Sequence, residues 1–156
     1  MQISTNRQFP PRRHVLMASV LIVVAALMAG CSSGSAKTTS PADHHVGVVL
    51  EDFQLTTSSV KLKAGRIAFD VVNNGPSTHT FKVDRTDLAA DSLPIDDSGL
   101  LVLEDAPELH RVGSVASLSI GAKHTLTLDL PPGHYVVYCN LEGHYLSNMR
   151  VGIDVS

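Results

Sequence analysis

The sequence predicts an all-β domain, a sandwich or barrel of seven or eight strands. Apolar and polar residues alternate over short runs, turn residues separate those runs at regular spacing, and no stretch sustains a helical period. The 156 residues hold one globular domain and not comfortably two. A net charge of −3 gives no reason to expect a nucleic-acid partner. Two cysteines are too few for a cysteine-rich zinc site and for most iron–sulfur clusters.

Taken in order, the first element is an address. Arg7, Arg12 and Arg13 precede the uncharged run 15–29, and small residues follow it, the pattern of a secretory signal peptide. The run is short for a bilayer span of about 20 residues. Leu27-Met28-Ala29-Gly30-Cys31 resembles a bacterial lipobox, with Met28 where Leu is commoner. That resemblance implies lipidation of Cys31; an ordinary signal peptide with an incidental cysteine is the competing reading. Arg12-Arg13 matches a twin-arginine export signal poorly. Residues 1–30 are therefore read as a lipoprotein signal peptide and 31–45 as the anchor cysteine with a Ser/Thr-rich flexible tether. Residues 46–156 form the expected domain. Without residues 1–30 the chain has 9 basic and 15 acidic residues, net −6. If Cys31 carries lipid, Cys139 is left without a partner in an oxidising compartment, which burial or a metal would explain.

The strands follow. Ile67, Phe69 and Val71 alternate with Arg66, Ala68 and Asp70, and Leu126, Leu128 and Leu130 alternate with Thr125, Thr127 and Asp129. Tyr135, Val137 and Cys139 form another period-2 run, and Val151, Ile153 and Val155 the last. Segments 47–55, 60–63, 79–84 and 115–120 are further strand candidates. Ala64-Gly65, Asn73-Asn74-Gly75-Pro76, Gly121-Ala122 and Pro131-Pro132-Gly133 supply the turns. Segment 86–90 has the composition of one helical turn. Residues 84–108 carry eight acids against Arg85 alone, and read as a long solvated loop or as an acidic face that docks a basic partner.

The informative string is Tyr138-Cys139-Asn140-Leu141-Glu142-Gly143-His144-Tyr145-Leu146-Ser147-Asn148-Met149. Cys139 closes a strand, and the loop carrying His144 and Met149 can fold back so that all three side chains converge. Thiolate, imidazole and thioether together suit copper, whereas calcium and magnesium want oxygen donors. A trigonal site needs a second histidine, and His79, after the 73–76 turn and before Phe81, is the candidate. His110, His124 and His134 read as structural or exposed, and His44-His45 as a solvated pair in the tether.

With these residues, Asn73-Asn74-Gly75…His79-Thr80-Phe81, Leu130-Pro131-Pro132-Gly133-His134-Tyr135 and Cys139…His144…Met149, residues 46–156 resemble the cupredoxins, the plastocyanin and azurin family. The resemblance is strongest to bacterial sulfocyanin-like small copper proteins. It implies a Greek-key β-sandwich holding one copper ion, Cu(I)/Cu(II), with His79, Cys139 and His144 equatorial and Met149 axial. It also implies an apolar patch around His144, for which Leu141, Tyr145 and Leu146 are available. Asn148 stands where relatives often have Gly, and Asn tolerates the left-handed backbone a closing loop needs. Arg150 places a charge beside the site that would raise the reduction potential.

The implied function is one-electron transfer by a monomeric lipoprotein tethered on the extracytoplasmic side, in the periplasm or at the cell surface, with a cytochrome or membrane oxidoreductase as redox partner. A copper chaperone or scavenger delivering metal to extracytoplasmic enzymes is the alternative. An enzyme is not expected: four protein ligands leave no substrate position, and copper oxidases need further His-rich sites and domains.

Overall fold

In the computed structural model the described residues are 42 and 44–156, so the expected signal peptide, Cys31 and most of the expected tether lie outside them. Residues 44–156 lie in one compact unit. Nine strands build it: β1 (His44–Glu51), β2 (Gln54–Thr57), β3 (Lys61–Leu62), β4 (Gly65–Asn73), β5 (His79–Arg85), β6 (His110–Leu118), β7 (Lys123–Leu130), β8 (Gly133–Tyr138) and β9 (Arg150–Val155). They form two sheets, in the orders β2-β1-β4-β7 and β3-β9-β8-β5-β6. The pairs β1–β4 and β3–β9 are parallel and the rest antiparallel. No helix occurs among the described residues, and 86–90 is not the helical turn its composition suggested.

The alternating patterns point where the period-2 rule puts them. Val46, Val48 and Leu50 of β1 and Ile67, Phe69 and Val71 of β4 face Phe81 and Val83 of β5, Tyr135 and Val137 of β8 and Ile153 of β9 across one core. Phe69 and Phe81 pack with ring centroids 5.7 Å apart at its middle.

Three expectations change. The 47–55 run is two strands, because Asp52 and Phe53 make a two-residue turn between the paired Glu51 and Gln54. This division is why the count reaches nine. β1 begins at His44, so His45 belongs to a strand, and its Nδ1 lies 2.8 Å from Asp70 Oδ2 rather than in a solvated tether. β6 begins at His110, five residues before the expected start.

The largest correction concerns 84–108. Leu93, Val102, Ala106 and Leu109 form a second core with Val136, Tyr138 and Tyr145, covering the outer face of β8. Both faces of β8 are therefore buried, which explains the nearly unbroken apolar run Tyr135-Val136-Val137-Tyr138. Asp84 is fully buried and bonded to Arg111 and Tyr138. Glu104 is bonded to Lys82, Arg111 and Asn140. These two acids hold the segment down instead of facing solvent alone.

Candidate metal centre

One end of the sandwich collects the start of β5 and the loop between β8 and β9. Cys139 follows β8 directly, His79 opens β5, and Met149 precedes β9. The loop closes on itself through backbone bonds: His144 N donates to Leu141 O (3.0 Å), Met149 N to His144 O (3.1 Å) and Cys139 N to Met149 O (3.0 Å). Gly143 (φ 76°) and Asn148 (φ 78°) supply its left-handed residues, Asn148 in the role its sequence position suggested. The 73–79 turn is built by Asn73, whose Nδ2 donates to Ser77 O (2.7 Å) and Leu118 O (2.9 Å) while its Oδ1 accepts from Gly75 N (2.9 Å). Asn73 is wholly buried, so the turn that presents His79 is anchored inside the fold.

The result is convergence. Cys139 Sγ lies 3.8 Å from His79 Nδ1 and 3.7 Å from His144 Nδ1, and the donor atoms of the three residues all lie within 4.8 Å of one another. A metal about 2.3 Å from sulfur and about 2.05 Å from nitrogen in a trigonal arrangement would separate its N and S ligands by about 3.8 Å. The observed spacing is therefore that of ligands around a shared centre. Soft sulfur with two imidazoles is the donor set that suits copper. Met149, fully buried, packs in the same core cluster as Cys139.

Two donors reach the sulfur. Thr80 N (3.4 Å) and Thr80 Oγ1 (3.6 Å) both donate to Cys139 Sγ, which is buried and free of any disulfide. Burial first, then the neighbouring His144, hold the His79 pKa below the ordinary imidazole value, with the Asp52 carboxylate opposing them. A neutral imidazole is the form that binds a metal.

The surface around His144 differs in part from expectation. Leu146 is 46% exposed and Leu141 half-buried, but Tyr145 is only 2% exposed. Its hydroxyl donates to Ala90 O (2.8 Å) and accepts from Leu93 N (2.9 Å), turning the ring into the second core. In its place Phe53 sets its ring edge against half-buried His144 at 5.5 Å, and Leu100, whose carbonyl accepts from Gly143 N, is also exposed. Arg150 donates to the carbonyls of Tyr145 and Leu146 and lies over the Tyr145 ring, which ties it to the ligand loop.

Asp52, Phe53 and Asn140 were not among the sequence-predicted site residues. Asn140 Oδ1 accepts from Val102 N (2.8 Å), and its Nδ2 donates to Val102 O (3.1 Å) and Glu104 Oε1 (2.8 Å). Its adjacency to Cys139 was the available signal. For Asp52 there was none, since the pattern hid the turn. Among the described residues the other histidines fall outside the cluster: His110 and His124 are exposed, and His134 pairs with Asp154 at 2.7 Å.

Solved structures of the same shape settle the fold. Auracyanin B superposes with a TM-score of 0.55 at 22% identity, covering 75% of this chain and 91% of that one. The dithionite-reduced auracyanin of Roseiflexus castenholzii gives 0.52 at 16% identity over 75% and 99%. Rusticyanin from Thiobacillus ferrooxidans gives 0.53 at 16% identity over 74% and 79%. The domain has the cupredoxin fold. No protein-family model and no curated protein matches the chain. Within the cupredoxin sandwich the His79–Cys139–His144 cluster occupies the end where β5 begins and β8 stops.

Proposed function

We propose that the protein is a type 1 copper-binding lipoprotein that carries single electrons at the outer face of the cell membrane. His79, Cys139, His144 and Met149 would hold the copper, and Cys31 would carry the lipid. The observation that carries this reading is the convergence of one buried sulfur and two Nδ1 atoms on a single point. Copper, when bound, supplies the one-electron Cu(I)/Cu(II) couple.

The chain's own residues do the rest. The backbone bonds of the 139–149 loop and the Asn73 anchor fix the donors before metal arrives, so little moves when the oxidation state changes. Thr80 holds the thiolate through two donors. Half-buried His144, with the Phe53 ring against it, is the edge through which an electron enters or leaves. Attachment falls to Cys31 and the Ser/Thr-rich stretch between it and β1. Reduced forms of an auracyanin and a rusticyanin on the same fold support redox use of such a site. The exposed acids of 84–108, such as Asp87, Asp91 and Asp105, are available to steer a basic redox partner, with Asp84 and Glu104 withdrawn from that role.

Copper delivery is the alternative. A carrier keeps its copper against an apo acceptor and exchanges electrons rapidly between its own oxidised and reduced forms. Mixing the Cu(I) form with an apo copper protein, while following self-exchange by NMR line broadening, separates the two. Retained copper with fast exchange is expected; transferred copper with slow exchange would establish delivery.

A further inference from the structure

The two-residue turn joining β1 to β2 reaches the metal centre from the opposite sheet. Asp52 Oδ1 lies 3.2 Å from His79 Nε2, the ring nitrogen facing away from Cys139. Both atoms are shut off from solvent, and neither has another polar partner. The separation is that of an ion pair or a charge–dipole contact, but the N–H is not aligned well enough on the oxygen to count as a hydrogen bond. A small rotation of either group aligns the pair.

The surroundings are shaped to keep this approach. Ser77 Oγ donates to Asp52 Oδ2 at 2.9 Å, holding the carboxylate in place from the very turn that presents His79. A Cβ at Gly75 would meet Asp52 Oδ1 at 2.9 Å and His79 Nε2 at 3.0 Å, so only glycine leaves room for the contact. Phe53, the second residue of the turn, has a φ of 62°, a conformation that a bulky side chain adopts only under constraint. Among the described residues the only other non-glycine with positive φ is Asn148, in the ligand loop. Backbone strain of this kind gathers at functional sites, and here it brings one turn against both histidines.

Resting on the copper reading, we propose that Asp52 is a positioning residue of the metal centre: its carboxylate holds His79 as the Nε2–H tautomer, leaving Nδ1 free for the metal, and its negative charge favours Cu(II) over Cu(I). Partners beyond the ligands orient a metal-binding imidazole and typically change metal affinity about 10–100-fold. A nearby negative charge acts more strongly on the dication than on the monocation.

The test uses the full-length chain in detergent with Asp52→Asn and Asp52→Ala. Asn removes the charge while keeping an oxygen for the Nε2–H; Ala removes both. In the metal-free protein, two-bond ¹⁵N–¹H spectra above the histidine titration range should show the Nε2–H tautomer of His79 in the wild type and in Asp52→Asn, and a tautomer mixture in Asp52→Ala. With copper, both variants should lose about tenfold in Cu(II) affinity by chelator competition and keep their Cu(I) affinity. That ratio corresponds to a rise of about 59 mV in potential for a one-electron couple. An unchanged tautomer in Asp52→Ala, or an unchanged potential in Asp52→Asn, overturns the proposal. A wild-type chain that takes up no copper would instead overturn the function reading, and the metal-free tautomer measurement would still decide the role of Asp52.

Discussion

Replacing Asn140 with Ala should loosen the 86–109 segment without touching a metal donor. The amide of Asn140 pairs with Val102 as a neighbouring strand would, accepting from its N–H at 2.8 Å and donating to its carbonyl at 3.1 Å. Val102 is 2% exposed and belongs to the second core, so alanine would strand two backbone groups in apolar surroundings. A buried group left unpaired costs about 1–3 kcal/mol. Allowing for some water entry, the pair comes to about 3 kcal/mol, with the bond to the more exposed Glu104 adding little. Against a total stability of about 5–15 kcal/mol this is a large fraction. Urea unfolding of the metal-free protein should show that loss at unchanged m, and the melting temperature should fall by about 10 °C. A loss below about 1 kcal/mol would mean that the Val102 groups are readily resolvated and that Asn140 does not clamp the segment.

Further expectations concern the ligand loop and its cover. Met149→Gln should lower the reduction potential while copper is retained, as exchanging a weak axial thioether for an amide does; an unchanged potential in voltammetry would remove Met149 from the ligand set. Tyr145→Phe leaves Leu93 N without its acceptor and should cost about 1–3 kcal/mol in urea unfolding; a neutral result would refute the anchoring role of its hydroxyl. Burial opposes ionisation of Glu104, but the bonds from Asn140 and Lys82 and the Arg111 charge together hold its carboxyl below the ordinary 4.5. A carboxyl with a depressed folded-state pKa stabilises fully above its unfolded value and loses that contribution as pH falls through the folded one. Stability of the wild type should therefore fall more steeply below about pH 4.5 than that of Glu104→Gln; parallel curves would contradict the network.

The parts of this structure legible in the sequence are those governed by local periodicity and by donor chemistry. The alternation in β4, β7 and β9 gave the core faces, because a half-buried strand writes its burial at period 2. His79, Cys139 and His144 converge, the last two signalled by their spacing and His79 by its place after the 73–76 turn. What stayed hidden depends on contacts distant in the chain. The Asp52–Phe53 turn lacks the glycine or asparagine that normally announces a left-handed turn residue, so the strand pattern ran through it. The 84–108 segment looked solvated because its acids outnumber its apolar residues. Its fold rests on a few apolar anchors meeting β8 and on Asp84 finding Arg111 across the sheet. Tyr145 was expected at the surface for the same reason, since its partners at Ala90 and Leu93 are more than fifty residues away.

The most direct test is the visible absorption of the protein with one equivalent of Cu(II), before and after ascorbate, beside Cys139→Ser. The account predicts an intense blue band from thiolate-to-copper charge transfer that ascorbate bleaches and that the serine variant lacks. A colourless wild type, or a serine variant that stays blue, would contradict the assignment of Cys139 as the thiolate ligand.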